Sequence, residues 1–258
     1  MNKIIYMVLA ALIMCTCALG RVEQQHLNSQ GQETKPAEQL PSVDQILNRY
    51  VQALGGKAAI ERLTSVALTG TIEAQSAGLK GKAEMISHVP NKYLLKIDID
   101  GLGTFSQGFD GSVGWAQDPI NGLRDISGPE LAQLKREADL HREGHLKDVY
   151  TKLVVKGKDK VGTSDTYVVE GTLPEGGSEK LYFDTQTGLL LRTDAVTRSP
   201  QGEIPVEAYI EDYKEVNGVK MPATLRQVTS VLTSTIKFTD LKANVEVDQS
   251  RFGKPKGQ

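Results

Sequence analysis

Cysteine is almost absent from this chain, and its scarcity excludes several kinds of site. Only Cys15 and Cys17 occur among the 258 residues, and both lie in the apolar N-terminal segment. Removal of that segment would leave a mature chain without cysteine. The sequence therefore predicts no disulfide framework, no thiol nucleophile and no zinc–thiolate site in the mature protein.

The net charge of the chain is small, and aromatic residues are scarce. The formal net charge is −2, and no run of Lys and Arg with interleaved aromatics is present, so nucleic acid is not an expected partner. Aromatic residues make up 5% of the chain, with a single tryptophan, so few large rings are available to fill a core. The hydrophobic fraction of 39% and the charged fraction of 24% are typical of a soluble globular protein.

The one long apolar run lies at the N-terminus. The segment MNKIIYMVLAALIMCTCALGR has one lysine, an apolar stretch over 4–14 and small residues at Ala18 and Gly20. These features predict a signal peptide over 1–20, cleaved near Gly20, and a periplasmic or secreted protein. The stretch is shorter than the ~20 residues of a membrane span. A retained anchor and a lipid anchor at Cys17 are the alternatives. Residues 21–41 are polar and Gln-rich and are predicted to form a flexible linker.

Helical signals occur at two places in the remaining chain. Ser42 can cap a helix, Gln45 completes a capping box, and an apolar stripe runs over 43–54 before Gly55-Gly56 ends the helix. A short second helix is predicted directly afterwards. Ser127-Gly128-Pro129 predicts the start of a helical insert within a region that is otherwise composed of strands.

From Leu63 onward, apolar and polar residues alternate with a period of two. Asp110-Gly111 and Asn217-Gly218 are typical of tight turns between such strands, and residues 179–198 indicate a further hairpin. No parallel βαβ spacing is present. The prediction is an α+β domain, mainly antiparallel β, of about ten or eleven strands over 42–248, followed by a disordered tail over 249–258.

Most predicted strands are apolar on one face only, so the apolar face must be covered. A curled, incomplete β-barrel covered by the short helices satisfies this requirement and would leave an apolar cavity, whereas a fully filled core is the alternative. The residues predicted to line the cavity are Leu68, Ile72, Met85, Leu95, Ile97, Phe105, Phe109, Trp115, Leu181 and Phe183. A β-bulge would reverse the inward and outward positions beyond it.

Three segments of the sequence resemble those of a known family. They are FDGSVGWAQDP, LYFDTQTGLLLRTD and DYKEVNGVKMPATLR. Together with the helix ending in Gly-Gly, they resemble the LolA/LolB-like periplasmic lipoprotein-carrier superfamily, especially its outer membrane lipoprotein-sorting relatives, over about residues 42–247. The resemblance implies an incomplete β-barrel whose helices plug a hydrophobic cavity that accepts acyl chains. It also implies polar gating residues on the inner surface. Arg192 and Arg226 are candidates for them by position, although two solvated arginines on the outer face are the favoured interpretation.

The chemical motifs are weak. His141 and His145 have the spacing of two metal ligands on a helix, but Arg142 occupies the position where a zincin has glutamate. Glu211 and Asp212 are adjacent on a strand and should point to opposite faces rather than converge. The sequence therefore predicts no catalytic residues, no metal and no cofactor.

The functional prediction is a non-enzymatic, exported carrier for lipoprotein acyl chains or another lipid-like ligand, acting in outer-membrane lipoprotein sorting in the cell envelope. A carrier needs apolar area rather than a catalytic constellation, since each buried CH₂ contributes about 0.8 kcal/mol. Its partners would be an acylated lipoprotein or lipid, together with membrane-associated envelope proteins. The alternative is an envelope structural or protein-interaction module with a filled core and an exposed sheet edge.

Overall fold

A computed structural model describes residues 39–199 and 202–256. The predicted signal peptide and nearly all of the predicted linker lie outside these residues. Three α-helices are present in the described part: α1 (Val43–Ala53), α2 (Lys57–Glu61) and α3 (Gly128–Glu137). The capping box at the start of α1 is confirmed, because Ser42 Oγ accepts a hydrogen bond from Gln45 N (3.2 Å) and Gln45 Oε1 accepts one from Ser42 N (2.8 Å). None of the described helices combines the length and hydrophobicity of a membrane-spanning helix.

Thirteen antiparallel strands form a single sheet. They are β1 (Ser65–Ala74), β2 (Leu79–His88), β3 (Lys92–Ile99), β4 (Gly103–Phe109), β5 (Gly114–Asp118), β6 (Gly122–Ile126), β7 (Lys152–Val161), β8 (Ser164–Thr172), β9 (Ser178–Asp184), β10 (Leu190–Ser199), β11 (Gly202–Val216), β12 (Val219–Thr229) and β13 (Thr233–Ala243). The strand order is β6-β5-β4-β3-β2-β1-β13-β12-β11-β10-β9-β8-β7. The described strands thus form two meanders joined where β1 pairs with β13.

The fold class predicted from the sequence is confirmed. The sheet is curled but not closed, because β6 and β7 are its two edges and do not pair with each other. The strand count of ten or eleven is too low. The sequence predicts no strand at β6, since Leu123 and Ile126 in its short segment GLRDI do not alternate with a period of two.

The main core lies between the inner face of this sheet and the helices. Helix α1 buries Ile46, Leu47 and Tyr50, and α2 buries Ile60. Helix α3 buries Leu134 and is followed by a 3-10 segment over Arg142–Val149. These buried side chains belong to one apolar cluster with residues from both meanders. The two helical regions therefore cover the dry face of the sheet, as its one-sided pattern requires.

A smaller apolar cluster lies outside the main core and corrects one prediction. Residues 249–258 are predicted to be disordered, but Gln249–Phe252 form a 3-10 helix and the side chain of Phe252 is 0% exposed. Phe252 packs against Ile86, Leu94 and Trp115 in a cluster separate from the main one. Burial of the single aromatic side chain of Phe252 thus orders a segment whose composition otherwise indicates disorder. Residues 257 and 258 lie outside the described part of the chain.

Candidate functional site

A cavity of about 440 Å³ lies between the inner face of the sheet and its helical cover. This volume falls within the range of roughly 300–1,000 Å³ that small-molecule sites occupy. The apolar residues that line it include Leu54, Ile60, Leu63, Val66, Leu68, Met85, Leu140, Leu190, Ile210, Val219, Met221, Leu225 and Phe238. A cavity with this lining can hold a hydrocarbon chain without any specific polar contact.

Two other depressions differ from this cavity in shape or position. A groove of about 540 Å³ lies beside Ser42 and the start of β7, and the ion pair Lys147–Asp44 (2.7 Å) lies along it. Because both partners of that pair are exposed, the groove is a polar surface feature. A space of about 150 Å³ adjoins the main cavity and shares several lining residues with it, among them Leu190 and Thr193.

The structure distributes the ten predicted lining residues over four places, and Trp115 alone occupies the fourth, on the other face of the sheet. Leu68 and Met85 line the main cavity, and Leu181 lines the adjoining space. The residues buried in the filled part of the main core are Ile72, Leu95, Ile97, Phe105, Phe109 and Phe183. The inner face is therefore tightly packed along one part and open along another. Both situations that the sequence left as alternatives, a cavity and a filled core, occur in the same domain.

Trp115 lies on the opposite face of the sheet from the cavity. Its neighbour Gly114 faces inward, since a Cβ there would be 2.9 Å from Leu131 Cδ1 and 3.0 Å from Leu134 Cδ2. Alternation along β5 then directs Trp115 outward. Its Nε1 donates a hydrogen bond to the carbonyl oxygen of Phe252 (2.8 Å) beneath the C-terminal 3-10 helix. This residue is thus a core residue of the outer cluster and not part of the cavity lining.

Several cavity residues on β10, β11 and β12 were not predicted. Ala208 and Ile210 follow the alternation of β11, but the next lining residue is Tyr213, which is three positions further on. The reason is a local distortion at Asp212, which has a left-handed φ of 53° and is left out of the pairing between β11 and β12, although the register is the same on both sides of it. A residue in this conformation interrupts the regular alternation of inward and outward side chains along a strand, and no feature of the sequence marks it.

Charged side chains of the helical insert, which comprises α3 and the 3-10 segment that follows it (128–149), also reach the cavity, and sequence reasoning missed them. Arg142 and Glu143 both line it, and Arg142 Nη2 donates to Glu143 Oε1 over 2.7 Å. Tyr50 of α1 donates to Glu143 Oε2 over 2.9 Å. The charge of Glu143 raises the pKa of the Arg142 guanidinium, and burial raises the pKa of the Tyr50 hydroxyl. The three groups form a compact hydrogen-bonded unit with little net charge.

Glu137, at the end of α3, is a further carboxyl in the wall of both the cavity and the adjoining space. Its Oε1 accepts a hydrogen bond from Gln133 Nε2 (2.6 Å), and its Oε2 lies 3.5 Å from Gln107 Nε2. Burial raises the pKa of Glu137 to about 7. This carboxyl can therefore exchange a proton close to neutral pH.

The two histidines do not converge. His141 Nε2 lies 2.8 Å from the carbonyl oxygen of Leu63, and His145 Nε2 lies 2.9 Å from Asp139 Oδ2. Within residues 39–199 and 202–256, no group of three or more His, Cys, Asp or Glu side chains is arranged to hold a metal ion.

Arg192 and Arg226 lie on the outer face of the sheet, the favoured interpretation of their sequence positions. Both guanidiniums lie over the ring of Tyr209, at 5.4 and 3.8 Å from its centroid. Arg226 also pairs with Glu211 (2.8 Å). Asp212 accepts a hydrogen bond from Thr224 Oγ1 (2.7 Å), so the two adjacent carboxylates have different partners. These two arginines are consequently not gating residues of the cavity.

Comparison with known proteins identifies the fold. No protein-family model and no curated protein matches the sequence. Among solved structures, a DUF1329 family protein from Desulfovibrio piger is similar with a TM-score of 0.57 and 14% identity, covering 82% of this chain and 97% of that one. A LolA superfamily protein from Nitrosomonas europaea is similar with a TM-score of 0.54 and 12% identity, covering 83% of this chain and 99% of that one. The fold that the three sequence segments predict is thereby confirmed: the chain has the fold of the LolA superfamily.

Proposed function

We propose that this chain is an exported periplasmic carrier that binds the acyl chains of a lipoprotein, or a similar lipid-like ligand, for sorting within the cell envelope. The observation that supports the proposal is the cavity of about 440 Å³ between the inner face of the sheet and the helices. The similarity in fold to a LolA superfamily protein agrees with such a role. In this proposal the chain binds and releases its ligand without catalysing a reaction on it.

The energetics of the cavity suit a reversible carrier. Burial of one CH₂ group contributes about 0.8 kcal/mol, so an acyl chain of about 12 carbons supplies several kcal/mol even after the cost of ordering it. The apolar lining provides this free energy without a rigid polar site. The cover is formed by α1 and the insert, which meet through the hydrogen bond from Tyr50 to Glu143. A ligand can therefore enter if these two elements separate.

Monolaurin, an uncharged amphiphile with a 12-carbon chain, is a suitable first probe in isothermal titration calorimetry below its critical micelle concentration. We expect one molecule to bind per chain. Thr193→Phe should weaken binding at least about tenfold, because Thr193 lines both the cavity and the adjoining space and a phenyl ring would occupy that volume. Thr69→Phe is the matched control, since Thr69 is exposed on β1. Absence of monolaurin binding to the unsubstituted protein would overturn the proposal.

A second experiment distinguishes a lipoprotein from a free lipid as cargo. A synthetic peptide with a triacylated N-terminal cysteine and the same peptide without acyl groups are each titrated into the purified protein. We expect the acylated peptide to bind in competition with monolaurin and the other peptide not to bind. Binding of monolaurin but not of the acylated peptide would restrict the proposal to a lipid carrier.

The edge strand β7 argues against the alternative function of an interaction module that adds a partner strand to the sheet. Lys152, Lys156, Lys158 and Lys160 are exposed along it, and a bulge interrupts its pairing between Val155 and Gly157. Charged side chains and bulges are features that discourage edge-to-edge pairing. A stable protein complex without any bound amphiphile would nevertheless favour that alternative.

A further inference from the structure

The carboxyl of Glu137 differs from the other charged groups around the cavity in its partners. Arg142 is bonded to Glu143 (2.7 Å), Arg136 to Glu175, and Asp139 to His145 (2.9 Å). Glu179 accepts a hydrogen bond from the Tyr150 hydroxyl (2.7 Å). The two arginines nearest to Glu137 are thus engaged with other carboxylates, while Glu137 itself is contacted by the neutral amides of Gln133 and Gln107.

The side-chain amide of Gln107 provides a second, independent indication that the hydrogen bonding of Glu137 can change. Its side chain is 1% exposed, and its Oε1 has no hydrogen-bond partner among the described residues. A buried amide oxygen without a partner is costly. Rotation of the amide would bring Oε1 towards Glu137, where a protonated carboxyl could donate a hydrogen bond to it. Glu137 is therefore placed to act either as a donor or, when ionised, as an anion facing the cavity.

We propose, on the basis of the carrier function above, that Glu137 sets the head-group specificity of the cavity. The preferred ligand has an apolar chain and a polar end that donates hydrogen bonds, an ammonium group being the strongest case. A ligand with an anionic end is disfavoured. The reason is that an anion beside Arg142 would meet the carboxylates of Glu143 and Glu137, and Arg142 is already neutralised by Glu143.

Charged and titratable groups surround Glu137 on several neighbouring elements. They are Arg136 in α3, Asp139 just after α3, Arg142 and Glu143 in the insert, Tyr93 on β3, Glu179 on β9 and Lys220 on β12. Lys220 is exposed at the rim of the cavity. Of the cations among them, both arginines have their charge balanced by a carboxylate, although Nη2 of Arg136 is buried without a hydrogen-bond partner among the described residues. The environment of Glu137 thus favours a ligand cation over a ligand anion.

This specificity should depend on pH in opposite directions for ligands of opposite charge. Since the pKa of Glu137 is about 7, its ionised fraction rises from roughly one tenth at pH 6 to roughly nine tenths at pH 8. Dodecylamine stays protonated over this range, so its affinity should rise by up to about tenfold from pH 6 to pH 8. Laurate stays ionised, so its affinity should fall, whereas the affinity of uncharged monolaurin should change less than about twofold.

The test is calorimetric titration of these three 12-carbon amphiphiles at pH 6 and pH 8, below their critical micelle concentrations. Glu137→Gln should abolish both pH trends. Glu130→Gln is the matched control on the same helix, because Glu130 is bonded to Arg124 (2.8 Å) outside the cavity lining, and it should retain both trends. Circular dichroism verifies that each variant is folded.

The possible outcomes separate this inference from the carrier proposal. If none of the three amphiphiles binds, the carrier proposal fails and the inference fails with it. If all three bind but the unsubstituted protein shows no opposite pH trends, the head-group inference is overturned while the carrier proposal stands, and this holds even if Glu137→Gln does not fold. Trends that persist in folded Glu137→Gln overturn the assignment to this residue.

Discussion

The hydroxyl of Tyr50 donates a hydrogen bond to Glu143 Oε2 over 2.9 Å and so connects helix α1 to the insert at the cavity. The ring of Tyr50 contacts that of Phe183 edge-on, with centroids 5.2 Å apart. One side chain therefore joins both parts of the cover and packs against the filled part of the core. Such a contact stabilises the closed arrangement of the cover.

Tyr50→Phe should destabilise the protein while keeping the packing of the ring. The variant removes a hydrogen bond to a charged group, and such bonds contribute about 1.5–3 kcal/mol. We expect the free energy of unfolding, measured with urea, to fall by about 1–2 kcal/mol. The affinity for monolaurin should fall as well if the loss of this bond makes the cover easier to open.

Tyr209→Phe is the control for this prediction. Its hydroxyl donates a similar bond to Glu207 (2.8 Å) on the outer face, where water can replace the lost partner. The loss there should stay below about 0.5 kcal/mol and leave ligand affinity unchanged. Equal losses in the two variants would show that the bond from Tyr50 has no special role at the cavity.

The fold was largely predictable because its local signals agree with its tertiary structure. The capping box of Ser42 and Gln45 starts α1 as predicted. Asn217 and Gly218 join β11 to β12, both with left-handed φ, as this residue pair favours. Each of these signals depends on residues that are near each other in sequence, so no knowledge of distant contacts was needed to interpret them.

The cavity lining was less predictable because it depends on distant contacts. The left-handed conformation of Asp212 interrupts the alternation of β11, so Tyr213 lines the cavity although alternation from Ile210 would place it outward. The burial of Phe252 depends on an outer cluster that includes Trp115, 137 positions away. Arg142 was interpreted only as a departure from a metal motif, because its ion pair with Glu143 at the cavity is set by packing of the insert and not by spacing.

The C-terminal 3-10 helix should stabilise the outer face of the sheet. Phe252→Ala removes a fully buried ring, and such changes cost about 3–5 kcal/mol in protein cores. Since Trp115 is the only tryptophan and packs against Phe252, its fluorescence emission should shift to longer wavelength in the variant. Ligand affinity should be retained, because this cluster lies on the opposite face from the cavity.

The neighbouring residue provides the control for that experiment. Arg251 pairs with Glu84 (2.6 Å), and both side chains are about one third exposed. Arg251→Ala should therefore cost less than about 1 kcal/mol and leave the emission of Trp115 unchanged. An unchanged emission in Phe252→Ala would contradict the placement of Phe252 against Trp115.

Glu137 should also make the stability of the protein depend on pH. Its pKa rises from 4.5 to about 7 on folding because of burial, so the folded state binds more protons than the unfolded state between these values. Its contribution to stability is therefore fully present below about pH 4.5 and is lost as the pH rises through 7. The difference in unfolding free energy between the unsubstituted protein and Glu137→Gln should fall by about 3 kcal/mol from pH 4.5 to pH 8. Urea denaturation of both proteins across this range measures the difference directly, and changes due to other carboxyls largely cancel in it. A difference that is constant with pH would mean that the carboxyl stays ionised in the folded protein, and it would remove the basis for opposite pH trends in ligand binding.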